Sequence, residues 1–350
     1  VYSYPKGYET FMLPLASTSS YGFMYAGNIV LAIFILFLAY KIGRIFLDKE
    51  NAMWCVVLLS AIPGIMNMSI TAKTDIMTLL IQLMCIYYSF LYLKNRIGYN
   101  MAMIISTFIY AQTLKPTSVV FSSSIIMSLA CAMLLHKVKF QMKKKDMVIV
   151  IISVLDTALI WLRTYILTGI PAVSLWGTIF RKLGMKEKYP YASAQVNQFD
   201  FNRVLDKDRW RENVYRLIDF FFGPNSEDTD HIIIAWGTTL CTFIMIVVVV
   251  NIFLNFRKRV KRIKNDEIVF LAGVLLVGEW FGTILALLVL TKPDGNYFML
   301  YYATTIILGY VYIKRCVIDD SYINNNMCTA MLVIYLPLNV IFTGATTWNW

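Results

Sequence analysis

Long apolar runs dominate the chain, and short polar or basic stretches separate them. A helix needs roughly 20 predominantly apolar residues to cross the hydrocarbon core of a bilayer. The runs of about that length predict about ten spans, at residues 22–40, 52–70, 75–93, 101–114, 116–135, 147–167, 231–254, 267–290, 297–313 and 327–345. We therefore predict an all-α, polytopic integral membrane protein.

Composition supports this class of protein. Of the 350 residues, 58% are hydrophobic and 15% are charged, whereas a soluble domain has about 25% charged residues. The low charge excludes disorder and nucleic-acid-binding arms, so we expect no nucleic-acid partner.

The six cysteines lie in or beside apolar runs and form no C-x-x-C pair. They are predicted to be packing residues rather than disulfide or zinc ligands.

The basic residues predict the orientation of the spans. If Val1 lies outside the cytoplasm, one set of connections carries 18 of the 32 lysines and arginines. The opposite short connections and the N-terminal stretch carry only Lys6, Lys73, Lys115 and Lys292. Cytoplasmic loops of membrane proteins carry the excess of basic residues. We therefore predict a multi-pass protein of the cytoplasmic membrane, with the first set of connections inside.

The predicted spans divide the chain into three regions. Residues 1–167 form an N-terminal transmembrane region, 168–230 an extracytoplasmic loop, and 231–350 a C-terminal transmembrane region. We expect the natural N-terminus to lie upstream of Val1.

Two amphipathic helices are predicted within the loop. Trp210, Val214, Leu217 and Phe221 recur at helical spacing, and residues 173–183 show a similar stripe. These helices are expected either to lie on the membrane surface or to form a lid over an outward-facing pocket.

Four short polar features lie on the predicted outer face: Tyr4–Glu9, Thr71–Asp75, Leu114–Thr117 and Lys292–Tyr297. The apolar stretch 101–135 is too short for two full spans and a loop, so Lys115 is expected to lie recessed below the surface. It either faces a polar cavity or snorkels to the interface.

Lys73 lies beside Asp75, where a helix is predicted to begin. Thr74 or Asp75 could cap that helix, and Asp75 could also orient Lys73. A cation near the positive end of a helix dipole suggests that an anion binds there. We therefore predict that Lys73 and Lys115, with Lys6 behind them, contact phosphate oxygens.

Three further charged residues fall inside predicted spans: Asp156, Arg163 and Glu279. Placing a charged residue within a membrane costs free energy, and such residues often mark ion paths or structural ion pairs. Either role is open for these three residues.

Together, the four outer features resemble motifs of the GT-C glycosyltransferases, polytopic membrane enzymes that use polyprenyl-phosphate sugars. This group includes protein O-mannosyltransferases and lipid A aminoarabinose transferases. Tyr4–Glu9 resembles their Tyr-Pro-Pro-Gly or Lys-Pro-Pro-Leu stretch, and residues 69–75 (SITAKTD) are similar to their ATSTKTD element. Residues 114–117 (LKPT) are similar to their LTKP or LTKG turn, and residues 294–298 (DGNYF) are similar to their DGRYF or PRYLLP element.

The resemblance implies a GT-C-like fold and transfer of a sugar from a polyprenyl-phosphate donor to a hydroxyl acceptor of the cell envelope. The acceptor is a glycan, a lipid or a protein, and the active face is extracytoplasmic. Tyr4, Glu9, Asp294, Asn296 and Tyr297 then support the site or line its sugar or acceptor side. No cofactor is implied, and the need for a divalent metal is left open.

This sequence departs from the family pattern in two ways. Asn296 stands where the family usually has Arg, which removes one cation. The family's catalytic Asp lies in the first periplasmic loop, which would precede Val1, so the general base is expected upstream of this sequence.

Two other functions are compatible with the residues. A transporter or a lipid or glycan flippase would use Asp156, Arg163 and Glu279 as a polar path, although the chain lacks the repeat symmetry common in transporters. A non-catalytic membrane scaffold is the second alternative.

Overall fold

The computed structural model describes residues 6–18, 22–71, 73–172, 176–188, 206–222, 238–255, 266–290, 295–317, 333–334 and 337. The regular elements in these ranges are helices, which confirms the all-α prediction for them. The first nine are α1 (Gly7–Ala16), α2 (Gly22–Phe46), α3 (Lys49–Ser60), α4 (Pro63–Ser69), α5 (Asp75–Asn95), α6 (Gly98–Ala111), α7 (Pro116–Leu135), α8 (Met147–Thr168) and α9 (Gly177–Lys182).

The later helices are α10 (Trp210–Phe222), α11 (Thr238–Leu254) and α12 (Glu267–Val289). A last helical run, residues 295–317, is called α13 here. It opens with a 3₁₀ turn at Gly295–Phe298 and contains π-helical segments at Thr305–Gly309 and Ile313–Val317.

Five helices within the described ranges are long and apolar enough to cross a membrane: α2, α5, α7, α8 and α12. Helices of this length and apolarity support the prediction of a membrane protein. The predicted span 101–114 corresponds to α6, which has 14 residues, or about 21 Å of helix. Most of the predicted span 327–345 lies outside the described residues.

The predicted span 52–70 is two helices rather than one. α3 and α4 meet at a bend of 72°. Pro63 is the first residue of α4, and Ile62 before it is extended, with φ −76° and ψ 115°. Proline disfavours the helical conformation in the preceding residue, which explains the break.

The contacts divide the chain into two compact units. The first unit comprises residues 1–31 and 72–196, and the second comprises residues 32–71 and 197–350. α2 therefore contributes its first part to one unit and its remainder to the other.

In the first unit, α5 to α8 pack as a bundle in which successive helices run in opposite directions. A ladder of side chains joins α8 to backbone carbonyl oxygens of α6. Ser153 Oγ donates to Ser106 O at 2.9 Å, Thr157 Oγ1 donates to Ile109 O at 3.5 Å, and Trp161 Nε1 donates to Gln112 O at 3.4 Å. The partners advance in the same direction along both helices, so α6 and α8 run parallel.

One end of this bundle, which we call the basic end, consists of connections 94–97 and 136–146. Tyr92 Oη donates to Lys139 O at 2.8 Å and accepts from the Gln141 backbone N–H at 2.9 Å. Gly98 lies so close to Asp146 that a Cβ there would meet its Oδ2 at 2.6 Å. The two basic connections therefore lie side by side, as expected if both face the same side of a membrane.

Helix α10 confirms the predicted amphipathic element in the second unit, with a shifted buried face. Trp210 is 67% exposed, whereas Asn213, Phe220 and Phe221 are buried. Arg216 donates to Leu290 O at 2.8 Å, where α12 ends. A cation there complements the negative end of the α12 dipole and fixes α10 against it.

Tight packing and buried polar contacts hold α13 in the second unit. Trp280 Nε1 of α12 donates to Thr305 Oγ1 at 2.9 Å. A Cβ at Gly309 would lie 2.5 Å from Ile244 of α11, so α11 and α13 meet closely. Cys241 is buried nearby in α11, as are Cys55 and Cys85 elsewhere in the chain, which agrees with a packing role for these three cysteines.

Candidate functional site

The first and third polar features meet through backbone atoms in the first unit. The Gly7 N–H donates to Thr113 O at 2.9 Å. A Cβ at Gly7 would clash with Thr113 Oγ1 and would lie 2.9 Å from Thr113 O. Only glycine permits this approach. Thr113 belongs to the turn after α6, two residues before Lys115.

The first and second features are joined through a buried amide. Tyr8 Oη donates to Asn28 Oδ1 at 3.1 Å, and Asn28 Nδ2 donates to Lys73 O at 3.1 Å. Asn28 is fully buried and Tyr8 is 2% exposed. The side chain of Asn28 therefore ties the start of α1 to the segment that leads into α5.

The second and third features are joined by an ion pair. Lys115 Nζ donates to Asp75 Oδ1. Asp75 is the first residue of α5, and Lys115 is the residue just before α7. Pro116 at the first position of α7 favours the helix start and keeps Lys115 extended, with φ −103° and ψ 159°. Because α5 and α7 both begin here, they run parallel.

These contacts define what we call the three-motif site, made by Gly7, Tyr8, Asn28, the backbone of Lys73, Asp75, Thr113 and Lys115. The end of the bundle that carries it is called the motif end, and it lies opposite the basic end. Asp75 is 4% exposed and the Lys115 side chain 22% exposed. An ion pair so enclosed is costly to break by removing one partner.

The partner of Asp75 differs from the predicted one, Lys73. The carboxylate pairs with Lys115 because the N-termini of α5 and α7 lie side by side. The Thr74 side chain, also predicted as a cap, makes no capping hydrogen bond. The side chain of Lys73 is exposed, while its backbone carbonyl oxygen accepts from Asn28.

Lys6 and Glu9 form their own ion pair, with Lys6 Nζ 3.0 Å from Glu9 Oε1. The Glu9 side chain is 48% exposed, so the pair contributes little stability. Tyr4 and Asp294 lie outside the described residues. Asn296 and Tyr297 lie in the 3₁₀ turn of α13, which packs against α4 in the second unit.

Burial raises the pKa of Tyr8 to about 12, and the negative charges of Glu9 and Asp75 act in the same direction. Tyr8 lies in α1, which is not one of the membrane-length helices. Because the folded state favours the neutral phenol, its stabilising contribution is complete below the ordinary tyrosine pKa. That contribution is lost as the pH rises through about 12.

We predict that Tyr8→Phe lowers stability by about 1–3 kcal/mol at neutral pH, because Asn28 loses a buried partner. Thermal unfolding of the full chain in detergent would measure the loss. Tyr25→Phe is the matched control, since Tyr25 is 46% exposed. The deficit of Tyr8→Phe relative to wild type should shrink above pH 10, and a deficit that does not depend on pH would contradict the assignment.

Part of the predicted loop lies beside the three-motif site. Trp176 Nε1 donates to Gln112 Oε1 at 3.3 Å, and the rings of Phe180 and Trp161 meet edge to face at 5.9 Å. α9 is thereby fixed against the end of α6 and α8. Gln112 ends α6 three residues before Lys115, so this part of the loop lies at the same end of the bundle as the ion pair.

The three charged residues inside predicted spans lie on two helices, α8 and α12. Asp156 and Arg163 are exposed on α8, and Asp156 lies within electrostatic reach of Tyr110. Glu279 is buried in α12 of the second unit.

Sequence reasoning missed Tyr8 and Asn28 as members of the site, as well as Thr113. Asn28 could have been identified from the sequence, since it is the lone amide in an otherwise apolar predicted span. The role of Gly7 is tertiary and depends on a residue more than a hundred positions away. Within the described ranges, no group of three His, Cys, Asp or Glu residues could hold a metal ion.

No protein-family model, curated protein or solved structure matches the chain. The function proposed below therefore rests on the geometry of the site and on the resemblance of the motifs.

Proposed function

We propose that the chain is a membrane glycosyltransferase that moves a sugar from a polyprenyl-phosphate donor to a hydroxyl acceptor. One observation carries the proposal: three polar features far apart in sequence meet at one end of a helical bundle. There two helix N-termini and Lys115 concentrate positive potential around a buried carboxylate. Such an arrangement suits an anionic phosphate headgroup at a membrane surface.

The chemistry requires few groups from the protein. The acceptor hydroxyl oxygen attacks the anomeric carbon, and the bond from that carbon to the phosphate oxygen breaks. A carboxylate takes the hydroxyl proton, and the polyprenyl phosphate leaves with the bonding electrons. Lys115 stabilises the charge that grows on the leaving phosphate. The resemblance implies that the base is an Asp of the family's first periplasmic loop.

The remaining predicted residues take supporting roles. Lys73, whose side chain is exposed, is proposed to meet the phosphate from the water side, with Lys6 behind it. Tyr4 is proposed to line the sugar or acceptor side. Asn296 and Tyr297 belong to the second unit, and their role on the sugar or acceptor side, like that of Asp294, stays a prediction.

The basic end suggests how the helical bundle is oriented in the membrane. It carries Lys94 and Arg96 together with five lysines between residues 137 and 145, which favours the cytoplasmic side. The motif end then faces outward from the cytoplasmic membrane, in a GT-C-like fold of about ten spans. The partners are the donor lipid, the bilayer and an acceptor of the cell envelope.

The proposal is tested by reconstituting the full chain in liposomes with a polyprenyl-phosphate sugar that carries a labelled sugar. Transfer to an added envelope extract, with release of polyprenyl phosphate, is the expected result. Donor that crosses the bilayer without loss of its sugar would instead identify a flippase.

Burial of Glu279 within a membrane-length helix is the observation that favours transport as the second candidate. Glu279→Gln, Asp156→Asn and Arg163→Gln distinguish the two functions. Sugar transfer should survive all three substitutions if the three-motif site performs the reaction. Loss of activity in these variants, with normal activity in Lys115→Ala, would favour transport.

A further inference from the structure

Two polar stripes run along α5 and α7 from the Asp75–Lys115 ion pair. One stripe consists of Asp75, Thr78 and Gln82 on α5. The other consists of Lys115, just before α7, with Ser118 and Ser122 on α7. In each stripe the second and third residues follow the first by three and seven positions, which places them on one helix face. α5 and α7 pack against each other. We call the two stripes together the polar seam.

Three hydroxyl groups of the polar seam are buried, and no hydrogen-bond partner for them lies within the described residues. Ser118 is fully buried, Ser122 is 1% exposed and Thr78 is 8% exposed. Buried polar groups are nearly always satisfied, by protein, by ordered water or by a ligand.

Other serines of α7 differ from Ser118 and Ser122 in this respect. Ser123 Oγ donates to Val119 O at 2.7 Å, and Ser128 Oγ donates to Ser124 O at 2.8 Å. These hydroxyls satisfy themselves on their own helix, as is usual for serine in an apolar helix. Ser118 and Ser122 on the same helix do not.

The positive potential around the polar seam favours an anionic ligand. Lys115 and Asp75 balance each other, so the excess potential comes from the N-termini of α5 and α7, which are both positive. Neither N-cap side chain makes a capping hydrogen bond, so the first N–H groups of both helices are not used by their caps. Hydroxyl donors, helix N-termini and one ammonium group together favour a compact oxyanion with several acceptor oxygens.

We propose that the polar seam is the buried part of a phosphate-binding pocket, with Thr78 and Ser118 as direct donors to the phosphate oxygens. Both lie one turn, or about 4.5 Å, beyond the ion pair. Ser122, one turn further, holds a water molecule beneath the phosphate. The anion replaces Asp75 on Lys115, and the N-terminus of α5 continues to stabilise the released carboxylate.

This inference rests on the proposed function, in which the phosphate is the headgroup of a polyprenyl lipid. The same chemistry would also accept free phosphate. Binding of three probes to the purified full chain distinguishes the sources: inorganic phosphate, geranyl phosphate and undecaprenyl phosphate. A site for a lipid headgroup binds the two prenyl phosphates and is poorly competed by inorganic phosphate, whereas a free-phosphate site binds all three alike.

Ser118→Ala and Thr78→Val are expected to weaken binding of geranyl phosphate by about tenfold each, the loss typical of one hydrogen bond to a charged group. Thr78→Ser, which keeps the hydroxyl, should restore most of the affinity. Ser123→Ala is the matched control, because that hydroxyl bonds to its own helix, and it should bind like wild type. Thermal unfolding checks that each variant is folded.

Affinity within twofold of wild type in both Ser118→Ala and Thr78→Val would overturn the assignment of the seam. If Lys115→Ala still lost binding in that case, the proposed function would stand without the seam. Conversely, phosphate binding that depends on Ser118, without sugar transfer from any donor, would support the seam and count against the proposed function.

Discussion

Replacing Lys115 with alanine is expected to reduce sugar transfer by at least about 10²-fold while the protein still inserts into the membrane. Removal of one group that stabilises charge in a transition state typically costs this much in rate. Lys115 would also be lost as a ligand of the donor phosphate, so binding should weaken as well. Transfer in proteoliposomes and donor binding to the purified chain measure the two effects separately.

Stability must be separated from function in this variant, because Lys115→Ala leaves Asp75 buried without its ion partner. Loss of one member of a buried pair costs about 3–5 kcal/mol. The double variant Asp75→Asn/Lys115→Ala removes the unpaired charge and should recover stability without recovering transfer. Lys94→Ala, at the exposed basic end, is the control and should be active. Near-normal transfer by Lys115→Ala would remove this residue from the site.

Substitution of Gly7 by alanine is expected to separate α1 from the turn that precedes Lys115. The added Cβ would lie 2.9 Å from the Thr113 carbonyl oxygen and closer still to its hydroxyl. A backbone atom cannot move aside as a flexible side chain can, so the hydrogen bond from Gly7 N–H to Thr113 O should be lost. Overpacking of this kind typically costs about 1–3 kcal/mol.

The expected readout for Gly7→Ala is a lower unfolding temperature together with weaker donor binding, because two of the three motifs no longer meet. Gly278→Ala is the matched control. A Cβ at Gly278 would meet nothing within 4 Å, and alanine favours a helix interior by about 1 kcal/mol. Wild-type stability and binding in Gly7→Ala would show that the contact with Thr113 does not matter.

Length and apolarity were sufficient to predict the bounds of four of the five membrane-length helices in the described ranges. The predicted spans 75–93, 116–135, 147–167 and 267–290 agree with α5, α7, α8 and α12 to within a few residues. The break before α7 was also predictable, since Lys115 and Pro116 interrupt one continuous apolar stretch. These features are local, because a long apolar helix satisfies its own backbone groups in lipid.

Features that depend on two distant segments were not predictable in the same way. The partner of Asp75 depends on the parallel placement of α5 and α7, and the sequence alone favoured the neighbouring Lys73. Asn28 joins α1 to the segment before α5 only after both have folded onto α2. The π-helical segments of α13 likewise have no signal in the apolar pattern, because they change the path of the backbone rather than its composition.

The most direct test of the central claim is photo-crosslinking of a diazirine-labelled polyprenyl phosphate, with the reactive group next to the phosphate, to the full chain in liposomes. We predict that the labelled peptides come from the starts of α5 and α7, near Asp75 and Lys115, and that Lys115→Ala abolishes the labelling. Labelling confined to residues 136–146 at the basic end, or unchanged by Lys115→Ala, would contradict the claim that the three motifs form a phosphate headgroup site.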